Sequence, residues 1–416
     1  MYYLLFLFYL IIGTYFVTRI PFIRKTGLSP KLIAILFVVK VLAGVAICWM
    51  SQKFYPGNDY YGLNTDGIVE YKILLNDPQE FFVNIFRSPY KNGYTGFFNS
   101  IGSYWNDLRY NIILKLLAFC DIFSQGNFYI NSLIFNFFGF FGPVALFRVF
   151  TDIYKNKKWA VLAGCFLLPS TLYFSSGLHK DLIIFTMLGL FCYGLYFSTV
   201  HRPEKRRLLV IVLSFISILF IRNYVAVALV PASLSLIIAI KKRIKPLLAF
   251  AGTYAIGFLL IFTLQFFIPA FQPLKVITQK QLDFFDLPTA KTELETNKLE
   301  PTVSSFLRNL PQAFNHGFLR PYIWESGTSF LLPLSFELLV YEFLFLFMIF
   351  SHRFRINLQR PYILFSFFFA ISMLLITGYI VPNMGSILRY KSIFLPFLLV
   401  PVLCSIKIKS LEHTKH

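Results

Sequence analysis

The chain has 416 residues, of which 57% are hydrophobic and only 14% charged, and its mean hydropathy is +0.65. Soluble domains carry roughly a quarter charged residues, so a water-soluble globular fold is excluded. The net charge of +20 does not mark a nucleic-acid binder, because the excess lies on one set of short connections beside apolar runs. There it sets orientation and contacts anionic lipid.

Apolar runs of about 20 residues, the length that crosses a hydrocarbon core, recur along the sequence. They predict an all-α polytopic integral membrane protein with about eleven transmembrane helices, near 1–18, 32–50, 127–150, 159–176, 182–200, 208–221, 224–240, 247–268, 328–350, 362–381 and 393–406. The first run, "MYYLLFLFYLIIGTYFV", has no basic residues before it and no small-residue cleavage site after it, so it reads as a retained span. The organisation expected is two spans in 1–50, a long loop with interfacial helices in 51–126, and spans three to eight in 127–268. A second long loop with a candidate lid follows in 269–327, then the last three spans and a tail in 328–416.

Alternate connections are short and basic: "RIPFIRKTGLSPK", "KNKK", "HRPEKRR", "KKRIK", "SHRFRINLQR" and the tail "KIKSLEHTKH" hold 21 of the 39 Lys and Arg residues. The two long loops are near neutral. Basic short loops stay cytoplasmic, which places the N-terminus outside, the C-terminus inside and both long loops on the extracytoplasmic side of a bacterial inner membrane. The five cysteines show no metal-ligand or redox spacing and read as packing residues.

In the first long loop, "FYPGNDYYGLNTDGIVEYKILLNDPQEFF" carries two candidate catalytic acids, Asp59 and Asp66. Asp66 precedes a helical pattern and is either its N-cap or a functional acid sharing a face with Glu70. Asp59 follows the Gly57-Asn58 turn and has no such excuse, beyond an Asx turn. Downstream, "NDLRYNIILKLLAFCDIF" reads as an amphipathic helix in the outer interface.

Charged groups then recur at the outer ends of spans: His179, Lys180 and Asp181, then Arg222, then Arg389, Tyr390 and Lys391. An ionisable side chain at membrane depth costs roughly 2.5–3.5 kcal/mol unless it snorkels or finds a partner. Either these groups converge on a pocket for an anionic ligand, or the cations snorkel to headgroups. The second long loop ends in "FNHGFLRPYIWESGTSF", where Trp324 suits an interfacial belt and Arg320 and Glu325 are pocket or hinge candidates. Mid-span ionisable residues are few, chiefly Lys40, Arg148, Glu337 and Glu342. No nucleotide-binding, zinc-protease, serine-hydrolase or Cys/His metal motif occurs, so driving force must come from an activated substrate or a gradient.

The stretches "PGNDYYGLNTDGIVEYKILLNDPQEFF", "SSGLHKD", "RPYIWE" and "NMGSILRYKSIFLP" resemble, in order and loop lengths, the GT-C class of multi-spanning glycosyltransferases. The likeness is strongest to bacterial envelope-polysaccharide members. It implies a GT-C-like fold and a polyprenyl-phosphate-linked sugar donor at the extracytoplasmic face, with a glycan or lipid as acceptor. Membrane lipids are the other expected partners, and nucleic acid is not one. By the resemblance Asp59 is the base, with Asp66 as substitute, and Lys180, Arg222 and Arg389 hold the donor phosphate. His179, Asp181, Arg320, Glu325 and Tyr390 belong to the expected substrate site. The cofactor is unknown: a divalent cation would suit the class, but no motif supports one. Asp59 is followed by Tyr60 where many members have a second acid. Wzy-like polysaccharide polymerases share the layout. A flippase without chemistry would draw instead on Glu337 and Glu342 and on helices broken at Gly or Pro.

Overall fold

A computed structural model describes residues 2–55, 57–90, 93–96, 102–201, 203–267, 272–286, 292–325, 331–350 and 356–406. Among them the fold is all-helical, without a β-strand. In chain order the helices are α1 (Tyr2–Arg19), α2 (Pro21–Arg24), α3 (Pro30–Phe54), α4 (Asp59–Asn76), α5 (Pro78–Val83), α6 (Tyr104–Ser124), α7 (Phe128–Gly139), α8 (Phe141–Ile153), α9 (Lys158–Phe166) and α10 (Pro169–Phe174). There follow α11 (Lys180–Val200), α12 (Lys205–Ile221), α13 (Asn223–Lys241), α14 (Pro246–Phe267), α15 (Pro273–Phe285), α16 (Val303–Phe314), α17 (Leu331–Phe350), α18 (Pro361–Ile380) and α19 (Met384–Ser405).

Local chemistry sets the starts. The side chains of Ser29, Asn58, Ser103, Asn127, Thr302 and Asn383 each accept a first-turn backbone N–H, a cap worth about 1 kcal/mol. Pro30, Pro78, Pro273 and Pro361 stand at the first helical position, where a missing N–H is harmless. The Asn58 cap starts α4 at Asp59, so Asp66 lies two turns inside the helix and is not its N-cap.

Among the described residues eight helices are long and apolar enough to cross a membrane by length and composition: α1, α3, the continuous Phe128–Ile153 segment of α7 and α8, α11, α13, α17, α18 and α19. Two of the eleven expected spans, 159–176 and 208–221, fall short of that length among the described residues. The α12 helix has 17 residues, whereas α14 is a 22-residue apolar helix, Pro246–Phe267, over the expected 247–268. The expected span 159–176 is broken into α9 and α10. Pro169 stands at the first position of α10, where it has no N–H to bond back to α9. At about 1.5 Å per residue, neither piece alone crosses the hydrocarbon.

The break exposes backbone groups that must find partners. At the start of α10, Ser170 donates its backbone N–H to Glu337 Oε2 at 2.8 Å and its hydroxyl to Oε1 at 3.1 Å, and Tyr341 donates its hydroxyl to the same carboxylate. At the far end of α10, the buried Lys40 donates from Nζ to the Ser175 carbonyl at 2.5 Å and contacts the Ser175 and Ser176 hydroxyls at 3.2 Å each. Asn136 donates to the Ser176 carbonyl at 2.7 Å. The mid-span charges of Lys40 and Glu337 therefore satisfy the two ends of α10.

The chain divides into two compact units, Met1–Val149 with Thr171–Ala226, and Phe150–Ser170 with Val227–His416. In the first, α4 lies along α6 and against α3, while α3 packs on α7 and α11 on α12. Ile47, Tyr60, Leu63, Leu114, Leu117 and Leu182 form the core of this packing. The α8 and α11 backbones approach through Gly142 and Gly189: a Cβ on Gly189 would lie 2.3 Å from the Gly142 carbonyl oxygen. Small residues permit this close crossing in apolar surroundings, where packing holds helices together. In the second unit α18 packs on α19 and α16, and α9 packs on α19. Large apolar side chains stay exposed along α1, α12 and α17, among them Leu4, Phe8, Leu209, Leu213, Phe336 and Phe343. Such stripes are the face that lipid covers.

Candidate functional site

The first unit brings six of the expected residues together. Asn58 fixes the start of α4, with its amide on Ser51 Oγ at 2.9 Å and its carbonyl oxygen on the Tyr61 N–H. Asp59 thus occupies the first turn, 63% exposed, while Asp66 follows two turns later on the same side. The Lys40 and Asn136 contacts hold the Ser175–Ser176 turn that leads into α11. Gly177 lies in that turn, and a Cβ there would be 2.3 Å from the Tyr60 ring. Its absence lets Tyr60 lie 4.8 Å from the His179 ring.

From these supports a line of charge runs inward. His179 Nε2 lies 3.6 Å from Asp59 Oδ2, and His179 Nδ1 lies 2.7 Å from Asp181 Oδ2. The other Asp181 oxygen is ion-paired with Arg222 Nη2. Exposure falls along the line, from Asp59 to His179 at 4% and Asp181 at 0%, with Arg222 at 6%. Nδ1 faces Asp181 Oδ2 at 2.7 Å and the Asp181 backbone N–H at 3.4 Å, which orients the ring with Nε2 turned toward Asp59; a proton on Nδ1, donated to the carboxylate, is the tautomer that leaves Nε2 able to accept. Arg222, expected as a phosphate ligand, is instead buried on Asp181 at the junction of α12 and α13. Removing either partner of such a pair strands a buried charge.

Lys180 opens α11, with its ammonium 5.3 Å from the centroid of the Tyr110 ring. Tyr110 in turn donates its hydroxyl to Asp66 Oδ2 at 2.6 Å. Burial, with the Asp66 carboxylate second, raises the phenol above its ordinary value, so it remains a donor. Asp59, Asn58, Tyr110, His179 and Lys180 line a cavity of about 270 Å³. The sequence reading missed Tyr110 and the His179–Asp181 link. The only signal for the link was a histidine two residues before an acid at a helix start, where both side chains can turn back on one another.

One turn along α11 begins an apolar groove of about 600 Å³, walled by Leu182, Ile183 and Met187 and by Leu116, Phe119 and Phe138. Glu70, expected to share a face with Asp66, likewise reaches α6, where Lys115 Nζ lies at 2.5 Å and also reaches Asn84 Oδ1 at 2.5 Å. That knot ties α4 and α6 to the segment after α5.

The remaining expected residues lie in the second unit. Arg320 Nε is 3.3 Å from Glu325 Oε1, and Glu325 Oε2 accepts the Tyr322 N–H at 3.1 Å. Lys391 Nζ donates to the Phe318 and Arg320 carbonyls at 3.0 and 2.9 Å. "RPYIWE" is thus a turn closed on itself and tied to α19. Arg389 lies 5.3 Å from the Tyr390 ring centroid. The exposed Trp324 stacks on Tyr322, with centroids 4.8 Å apart. His316 is buried beside this turn. Its pKa is pushed from the ordinary 6.5 down to about 4, by burial first and by the Arg320 guanidinium second. Unfolding would let it take up a proton between those values, so its contribution to stability is complete above about 6.5 and lost as pH falls toward about 4. Thermal unfolding from pH 7 to 4 should show this slope, reduced in His316→Gln.

Among the described residues no group of three His, Cys, Asp or Glu side chains is placed to hold a metal ion. These helices and their lipid-facing stripes define a multi-pass membrane protein. No family model, curated protein or solved structure matches the chain.

Proposed function

We propose that the protein is a membrane glycosyltransferase that takes a sugar from a lipid phosphate at the extracytoplasmic face, in the synthesis of envelope polysaccharide or glycoconjugate. The observation that carries this reading is the Asp59–His179–Asp181–Arg222 line, opening on a cavity beside Lys180 and adjoining an apolar groove. The groove suits the lipid chain of a donor, and Lys180 suits its phosphate. The acceptor hydroxyl oxygen attacks the anomeric carbon as the carbon–oxygen bond to phosphate breaks, and the bonding pair stays on the departing phosphate. Lys180 stabilises that charge most in the transition state. The acceptor proton passes to Asp59 and onward to His179 Nε2, whose tautomer Asp181 holds. The Asp59–His179 separation of 3.6 Å is the looser spacing expected before substrate closes the contact. Single-displacement geometry makes the enzyme inverting.

The support lies in chemistry held in one place, and a Wzy-like polymerase would use the same site, differing in product length. The flippase reading draws on the break between α9 and α10. The start of α10 beyond that break, however, is bonded to Glu337 and its far end to Lys40, so substrate does not find them open. The test is transfer from a synthetic polyprenyl-phosphate sugar by the purified, reconstituted protein. Lys180→Ala should lose about 10²–10³-fold, as for one transition-state donor. An unchanged rate would overturn the assignment of phosphate to Lys180, and movement of donor across the bilayer without transfer would favour the flippase.

A further inference from the structure

A second polar cavity lies at the far end of α11. The helix begins with Lys180 and ends at Val200, a rise of about 30 Å, so its C-terminal end lies about the thickness of a hydrocarbon core from the candidate site. There a cavity of about 710 Å³ opens among α2, α8, α11 and α12 of the first unit. Lys25, Arg148, Arg206 and Arg207 line it against a single carboxylate, Glu204. Glu204 pairs with Arg207 at 2.7 Å, which leaves the cavity strongly positive.

Arg148 is held for the task. Its guanidinium lies 4.7 Å from the Phe22 ring centroid and 4.6 Å from that of Tyr193, and one of its N–H groups reaches the Phe22 carbonyl at 3.4 Å. Stacking on aromatic faces fixes the plane of an arginine and preorganises its fork for an oxyanion. A cation that merely snorkelled would need no such clamp. The lining also includes the apolar side chains of Phe141, Leu190 and Val210. Beside it α12 exposes Leu209, Val212, Leu213 and Ile216.

We infer that this cavity binds the phosphate of an anionic phospholipid, with the headgroup on the Arg148, Arg206 and Lys25 cations and an acyl chain along the exposed face of α12. A free anion would have use for the cations but none for the adjoining apolar side chains. Basic pockets between spanning helices recognise anionic headgroups in this way. The charge pattern assigns this end of α11 to the cytoplasmic side, where anionic lipid is plentiful. The inference does not depend on glycosyl transfer.

The test follows thermal unfolding of the full chain in detergent, titrated with short-chain phosphatidylglycerol, short-chain phosphatidylcholine or inorganic phosphate. Phosphatidylglycerol should stabilise saturably, and the other two should not. Lys25→Glu with Arg206→Glu, at two exposed positions, should weaken the apparent affinity by at least about thirtyfold, the factor for two charges beside an anionic headgroup. Arg148→Gln should weaken it independently. Equal stabilisation by phosphatidylcholine, or an unaltered response in both variants, would overturn the site. Stabilisation by inorganic phosphate matching that of phosphatidylglycerol would overturn the lipid as occupant.

Discussion

Asp59→Asn should lower the transfer rate about 10²–10⁴-fold, the usual contribution of a positioned base, with little change in the donor concentration giving half-maximal rate. Asn keeps the volume and the helix start, whose cap belongs to Asn58, so folding should be untouched. The acceptor hydroxyl would simply lose the group that takes its proton. His179→Gln should cost a similar factor, because His179 Nε2 faces the same carboxylate. Residues acting as one unit do not multiply their losses. The double variant should therefore be about as slow as the worse single one, in initial rates at saturating donor. Losses that multiplied would show the two acting separately, and a full rate in Asp59→Asn would remove the base from the mechanism.

Much of the architecture was legible because membrane spans are written in long apolar runs, and the eight helices of spanning length fall where those runs predict. The exception is instructive. Residues 159–176 read as one span, since hydropathy averages over Leu167, Leu168 and Pro169, yet they form two helices. Lys40 read as a costly mid-span charge and Glu337 as a candidate for a transport path, because sequence shows the cost of a buried charge but not its partner. Their partners, the Ser175 carbonyl and Ser170, lie 135 and 167 positions away. The same limit applied at the site. "HKD" showed that polar groups gather at one span end, whereas the Arg222–Asp181 pair and the Tyr110 bridge to Asp66 depend on helix packing. Starting α4 was a local matter that hydropathy obscured: Asn58 was legible as turn chemistry, and the same side chain serves as the cap.

Asp181→Ala should be the most damaging single change in the first unit. It strands the Arg222 guanidinium, only 6% exposed, and breaking a buried pair from one side costs about 3–5 kcal/mol. The expected result is a marked fall in the apparent melting temperature of purified protein, with transfer abolished. That result alone would not separate a structural ion pair from a working one. The double variant Asp181→Leu, Arg222→Leu does so. Replacing both charges by apolar side chains removes the stranded ion and should recover most of the lost stability, since such pairs contribute little net stabilisation. Transfer should not recover with it, because His179 Nδ1 would have lost the carboxylate that fixes its tautomer and Nε2 would no longer be held toward Asp59. If activity returned together with stability, the pair would be a packing device, and the proton path would have to end at Asp59.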